Sequence, residues 1–121
     1  MTIYNDILMD HYHFPRNRGC GECEETGTSR AINPSCGDKI EVKLRVESGT
    51  ITDICFEATG CAISIASASM LTEYCKGKDV VSVLALAFED VVRIMGIAIT
   101  PGRSKCALLP LQAIHEALAS E

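Results

Sequence analysis

In the run Ile40-Glu41-Val42-Lys43-Leu44-Arg45-Val46, aliphatic residues alternate with charged ones. An extended strand points successive side chains to opposite faces, so this pattern gives one buried face and one wet face. Ser48-Gly49 follows as a turn signal. Beyond it Ile54, Phe56 and Ala58 repeat the period of two. The two strands are therefore expected to form an antiparallel hairpin. A third, weaker strand is expected near residues 28–32.

Outside the hairpin the period changes. Ile63, Ala66, Ser67, Met70, Leu71 and Tyr74 share one face of a helix, and Gly77 suits its C-terminal stop. Short helices are expected over residues 80–86 and 91–97. After Thr100-Pro101-Gly102 a last helix carries Leu108, Leu111, Ile114 and Leu118 to about residue 119, with Pro110 expected in its first turn. At the other end Ile3, Ile7 and Leu8 predict a short helix ending before Pro15. The expected fold class is α+β: a small three-stranded antiparallel sheet with helices on one face, an N-terminal helix and C-terminal helices. Residues 1–121 read as a single domain.

The composition excludes several classes. Of 121 residues, 47% are hydrophobic and 22% charged, an ordinary globular balance that argues against disorder. The formal net charge is −5 and no basic run occurs, so neither nucleic acid nor an acidic membrane is expected as a partner. With no apolar run of spanning length and no secretory pattern, the chain is read as soluble and cytoplasmic.

Seven cysteines stand out: Cys20, Cys23, Cys36, Cys55, Cys61, Cys75 and Cys106. An odd number of thiols in a reducing compartment points to metal or sulfur chemistry. Cys55 and Cys75 lie inside a strand pattern and a helix pattern and read as small buried hydrophobes. Cys36, Cys61 and Cys106 fall at the ends of expected elements. Cys61 and Cys106 each open a helix, whose free N–H groups and positive dipole end favour the thiolate. Lys105 and Arg103 add positive charge beside Cys106, and Asp38 offers an oxygen two residues after Cys36. Three sulfurs and one oxygen suit four-coordinate Zn²⁺ or the four terminal ligands of a [2Fe–2S] cluster, and spacing does not choose between them. Three unrelated buried cysteines would show the same spacing.

Several separated motifs occur in a telling order: Asp10-His11-Tyr12-His13-Phe14-Pro15-Arg16-Asn17, then Pro34-Ser35-Cys36-Gly37-Asp38, then Phe56-Glu57-Ala58-Thr59-Gly60-Cys61-Ala62-Ile63-Ser64. Ser67-Ala68-Ser69-Met70-Leu71-Thr72-Glu73, Lys76-Gly77-Lys78 and Arg103-Ser104-Lys105-Cys106-Ala107-Leu108-Leu109 continue the series. Over nearly its whole length the chain resembles the IscU/SufU scaffolds of iron–sulfur cluster assembly, also found as the amino-terminal domain of NifU. The resemblance implies that Cys36, Asp38, Cys61 and Cys106 bind iron or the [2Fe–2S] cluster, or alternatively Zn²⁺. It implies that Cys106 accepts persulfide sulfur from a cysteine desulfurase, with Lys105 auxiliary, and that Asp38 keeps the cluster exchangeable. Acceptor proteins would then receive the cluster. Homodimerisation stays open.

Two departures matter. Many IscU proteins carry histidine just before the third cysteine, within a Leu-Pro-Pro-Val-Lys segment read by a chaperone. Here Ile99-Thr100-Pro101-Gly102-Arg103-Ser104-Lys105 replaces both. Arg103, Lys105, Cys106 and Ala107 resemble SufU proteins, which bind zinc and relay sulfur, yet the insertion those proteins usually carry between the last two ligand cysteines is missing. The alternative function is therefore a zinc-dependent sulfurtransferase. A second alternative is a structural zinc domain built on Cys20-Gly21-Glu22-Cys23, which predicts unfolding by Cys20→Ser but not by Cys106→Ser. His11 and His13 read as packing or surface residues, and His115 as solvated.

Overall fold

A computed structural model describes residues 6–19, 27–32, 37–96, 99 and 104–119. The element order is α1 (Asp6–His13), β1 (Gly27–Ile32), β2 (Lys39–Glu47), β3 (Thr50–Thr59), α2 (Ala62–Cys75), α3 (Val80–Leu84), α4 (Phe88–Met95) and α5 (Ser104–Ala119). The fold is α+β, with an antiparallel sheet in the order β1-β2-β3.

The alternating run forms β2 and buries Ile40, Val42 and Leu44. Ile40 pairs with Ala58, Val42 with Phe56 and Leu44 with Ile54, so the two aliphatic rows lie side by side. Ser48 (φ 53°) and Gly49 (φ 76°) make the connection, both in the left-handed region that a tight hairpin turn demands. The register slips between Arg45 and Val46, where Arg45 faces Asp53 but Val46 faces Ile51. Thr52 is the extra residue of this bulge, and its hydroxyl donates to the Arg45 carbonyl at 3.2 Å. The slip returns Ile51 to the buried face.

α2 differs from the single apolar face read in the sequence. It touches β3 and α5, and also α1 and α4. Every residue from Ile63 to Thr72 is buried, as is Cys75, while Tyr74 is only half-buried. The reason is side-chain size: alanines and serines let neighbouring elements approach the flank that a polar face would have kept wet. The buried hydroxyls are all bonded. Ser67 Oγ donates to the Ala107 carbonyl at 2.6 Å, and Thr72 Oγ1 to the Ala68 carbonyl at 2.7 Å. Ser69 Oγ accepts from the Arg16 amide at 2.8 Å and meets His11 Nδ1 at 2.7 Å. This network anchors α1 and the segment after it to α2, and that segment bonds in turn to β3 through Gly19 N–H to the Phe56 carbonyl.

The C-terminal end of α2 is fixed by a glycine. Gly77, at φ 86°, stops the helix, and its amide donates to the Ile51 carbonyl at 2.8 Å. Downstream, α3 is capped by Asp79, whose carboxylate accepts from Ser82 N–H at 3.0 Å. The expected helices over 80–86 and 91–97 are shifted, to Val80–Leu84 and Phe88–Met95, with Gly96 (φ 71°) as the stop of α4. Pro110 lies inside α5 rather than in its first turn. The helix begins at Ser104, earlier than its apolar stripe suggests, so Pro110 falls where it cannot supply an N–H to the carbonyl one turn back at Cys106. His115 is not solvated: its Nε2–H donates to the Val83 carbonyl at 2.8 Å and joins α5 to α3. No helix among the described residues is long and apolar enough to cross a membrane.

Candidate metal centre

Three chain ends meet at one edge of the sheet. Gly37, at φ 74°, turns the chain into β2 and leaves Asp38 just ahead of the strand. Lys39 pairs with Thr59, so the end of β3 runs alongside and brings Gly60 and Cys61 to the same place. Cys61 is the N-cap of α2 and holds an extended backbone (φ −78°, ψ 168°). Cys106 is the third residue of α5, and α5 packs directly on α2.

The ligand atoms of Asp38, Cys61 and Cys106 all lie within 4.8 Å of one another. Among the described residues, no other set of three His, Cys, Asp or Glu side chains gathers in this way. Asp38 (5% exposed) and Cys106 (3%) are buried, and Cys61 is half-buried. Cys61 Sγ stands 3.5 Å from Asp38 Oδ2. A tetrahedral ion with metal–sulfur bonds near 2.3 Å and metal–oxygen bonds near 2.1 Å would hold two such ligands about 3.6 Å apart. The donors thus match a thiophilic cation in chemistry, and the Cys61–Asp38 pair matches it in spacing as well. Two helix N-termini, of α2 and α5, open at the site, and their positive ends favour thiolate or sulfide charge.

Two residues that the motif reading did not single out shape this corner. Ser64 Oγ lies 3.2 Å from Asp38 Oδ2, 3.1 Å from the Cys61 carbonyl and 3.7 Å from Cys61 Sγ. Gly60 provides space: a Cβ there would sit 2.7 Å from Asp38 Cγ, Asp38 Oδ1 and Ser64 Oγ. The sequence carried a signal for Ser64, since a serine three residues after a helix N-cap can reach back to the cap residue.

Other cysteines sort by environment. Cys36, Cys20 and Cys23 lie outside the described residues, as does Arg103. Cys75 is a free, fully buried thiol, and desolvation pushes its pKa up to about 12 against a small opposing pull from Lys78. Cys55 departs from the expected buried hydrophobe: it is half-buried and disulfide-bonded. Lys105 is exposed beside Cys106. His11 is buried on Ser69, while His13 belongs to the exposed end of α1.

Comparison with known proteins places the chain. The sequence profile of the NifU-like N-terminal domain matches residues 3–120. The zinc-dependent sulfurtransferase SufU of Bacillus subtilis is 34% identical over 137 aligned positions, covering 99% of this chain and 92% of the relative. That alignment is longer than this chain of 121 residues, so the relative carries inserted residues that are absent here. The iron–sulfur cluster assembly scaffold protein IscU of Aquifex aeolicus is 36% identical, covering 95% of this chain and 73% of the relative. Among solved structures, a putative SUF-system scaffold from Fervidobacterium islandicum superposes with a TM-score of 0.82 at 26% identity, covering 96% of each chain. Two ends of the chain, one fold and several ordered motifs agree, and the chain belongs to the NifU-like N-terminal domain family, that of the IscU and SufU iron–sulfur scaffold proteins.

Proposed function

We propose that this chain is an assembly scaffold for [2Fe–2S] clusters, built in one domain over residues 1–121. It takes sulfur from a cysteine desulfurase, binds iron, and passes the finished cluster to acceptor proteins. The observation that carries this reading is the convergence of Asp38, Cys61 and Cys106 within 4.8 Å at the mouths of two helices. Cys36, two residues before Asp38 in sequence, is proposed as the fourth ligand. A hard carboxylate among thiolates is the weakest partner of a soft iron–sulfide core, which suits a protein that must release its cargo.

Cys106 is proposed as the sulfur acceptor. Its thiolate attacks the outer sulfur of the desulfurase persulfide. A new S–S bond forms at Cys106 Sγ, the donor's S–S bond breaks, and the donor cysteine leaves as thiolate, with no net oxidation. Reduction of that sulfur to sulfide then takes two electrons from an external donor. Cys106 is 3% exposed, so the first turn of α5 has to open for the attack. Lys105 is proposed as an auxiliary whose cation attracts the incoming anionic sulfur; its exposure supports this.

A second reading is favoured by the compactness of the site and by the likeness to SufU. The 3.5 Å contact between Cys61 and Asp38 equals the edge of a single tetrahedral ion. In that reading Zn²⁺ is held by the same residues, where it keeps their sulfurs as thiolates, and the chain relays persulfide sulfur as a sulfurtransferase.

Anaerobic reconstitution with iron, cysteine and a cysteine desulfurase tests the scaffold reading. Cluster absorption that is lost in Cys61→Ser supports it; full absorption in that variant, or none in the wild type, refutes it. Metal analysis of protein purified without oxygen separates the readings. Stoichiometric zinc with strong stimulation of the desulfurase supports the relay.

A further inference from the structure

Ser64 touches two of the proposed ligands yet cannot itself be a strong one. From the N3 position of α2 its single hydroxyl proton faces two acceptors: Asp38 Oδ2 at 3.2 Å and the Cys61 carbonyl at 3.1 Å. A carboxylate that ligates a metal is ionised, and a hydrogen bond to it is about twice as strong as one to a neutral carbonyl, so as a ligand Asp38 draws the proton. Ser64 is 4% exposed and Asp38 5%, and water does not compete freely for either. Gly60 closes the other side of the contact: a methyl there would overlap both the Asp38 carboxyl group and the Ser64 hydroxyl.

We infer that Ser64 is a positioning residue of the metal centre: it holds one oxygen of Asp38 by hydrogen bond and thereby sets how firmly that carboxylate grips the metal. The inference rests on the metal-centre reading above and deepens it. Asp38 lies just ahead of β2, and Ser64 and Cys61 both meet its Oδ2. Ser64 sits on a helix packed on all sides, so its oxygen is a fixed reference point. Because it also lies 3.7 Å from Cys61 Sγ, it keeps carboxylate and thiol at the spacing one ion needs. Outer-shell partners of this kind typically govern metal affinity by about 10–100-fold.

The test is zinc release from the full-length chain into a chromophoric chelator, measured for wild type, Ser64→Ala, Asp38→Ala and the double variant. Ser64→Ala is expected to speed release about tenfold when Asp38 is present, and by less than twofold when residue 38 is alanine. Equal acceleration in both backgrounds, or none in either, overturns the inference while leaving the metal centre standing. A wild type that takes up no zinc overturns the centre itself, and the inference with it. Should Ser64→Ala not fold, Gly60→Ala crowds the same contact from the opposite side, and the same dependence on Asp38 is expected of it. Its absence counts against the inference.

Discussion

Asp38 Oδ2 and Cys61 Sγ, separated by 23 residues in sequence, lie 3.5 Å apart, and the hairpin brings their two chain segments together. Asp38 precedes β2 and Cys61 follows β3, so the register of that one strand pair fixes their separation. The aliphatic alternation of Ile40, Val42 and Leu44 against Ile54 and Phe56 thus does more than fill a core. A slip of one residue would turn the buried row outward and separate the carboxylate from the thiol.

Asp38→Ala is expected to lengthen the life of a reconstituted cluster severalfold, measured as decay of its visible absorption under anaerobic conditions with an acceptor present. On a soft cluster core the carboxylate is the ligand through which exchange begins. Its removal closes that route, although on a single zinc ion the same change removes one of four donors and weakens the hold. Faster cluster loss in the variant would contradict the assigned role.

Gly60→Ala is expected to lower stability by about 1–3 kcal/mol, the ordinary range for overpacking a tight site. The glycine is needed for space, because its φ lies outside the left-handed region while its absent Cβ would fall 2.7 Å from three atoms. Urea midpoints with unchanged slope would measure the loss. A variant as stable as the wild type would mean that Asp38 and Ser64 can move aside at no cost.

Much of the fold was legible because its periods are simple. Period two at residues 40–46 and the Ser48-Gly49 turn fix the hairpin, and Gly77 marks the end of α2. The burial of α2 on all sides was not legible, because serine counts as polar in any periodicity. Ser67 already fell on the expected face, but only the partners of Ser69, in the α1 region, make that position interior. His115 misled for a related reason: it stands beside charged Glu116 in sequence, but its bond is to Val83, distant in the chain. At the site, Asp38, Cys61 and Cys106 were legible through motifs. Ser64 and Gly60 were not, since their roles exist only where two chain ends cross.

His11 couples stability to pH. Burial, with a further push from the Arg16 cation, lowers its pKa below the ordinary value of 6.5, and Glu73 and Asp10 only partly offset this. The folded chain therefore prefers neutral imidazole, while the unfolded chain takes up a proton once pH falls below about 6.5. Stability from this group is full above that pH and is lost as pH falls toward the lower folded value. One proton limits the slope to about 1.4 kcal/mol per pH unit. Melting temperatures of wild type and His11→Gln at pH 5.5 and 7.5 check this: the drop on acidification should be smaller in the variant. An identical drop would place the titration elsewhere.

Thiol labelling should separate the cysteines by burial and by metal. In the metal-free native chain, half-buried Cys61 is expected to alkylate before the other two described thiols, Cys106 and Cys75. Cys106, 3% exposed, should follow at the rate at which the first turn of α5 opens. Cys75, fully buried with its pKa pushed up to about 12, should react only on unfolding. Loading with zinc should then protect Cys61 and Cys106 together and leave Cys75 unchanged, because the sulfurs of the first two lie within 4.8 Å of the Asp38 carboxylate and of each other. Peptide mass spectrometry after a short alkylation pulse reads all three at once. Protection of Cys61 without Cys106 would break the proposed centre apart, since a metal held by one of these sulfurs alone needs neither α5 nor its opening.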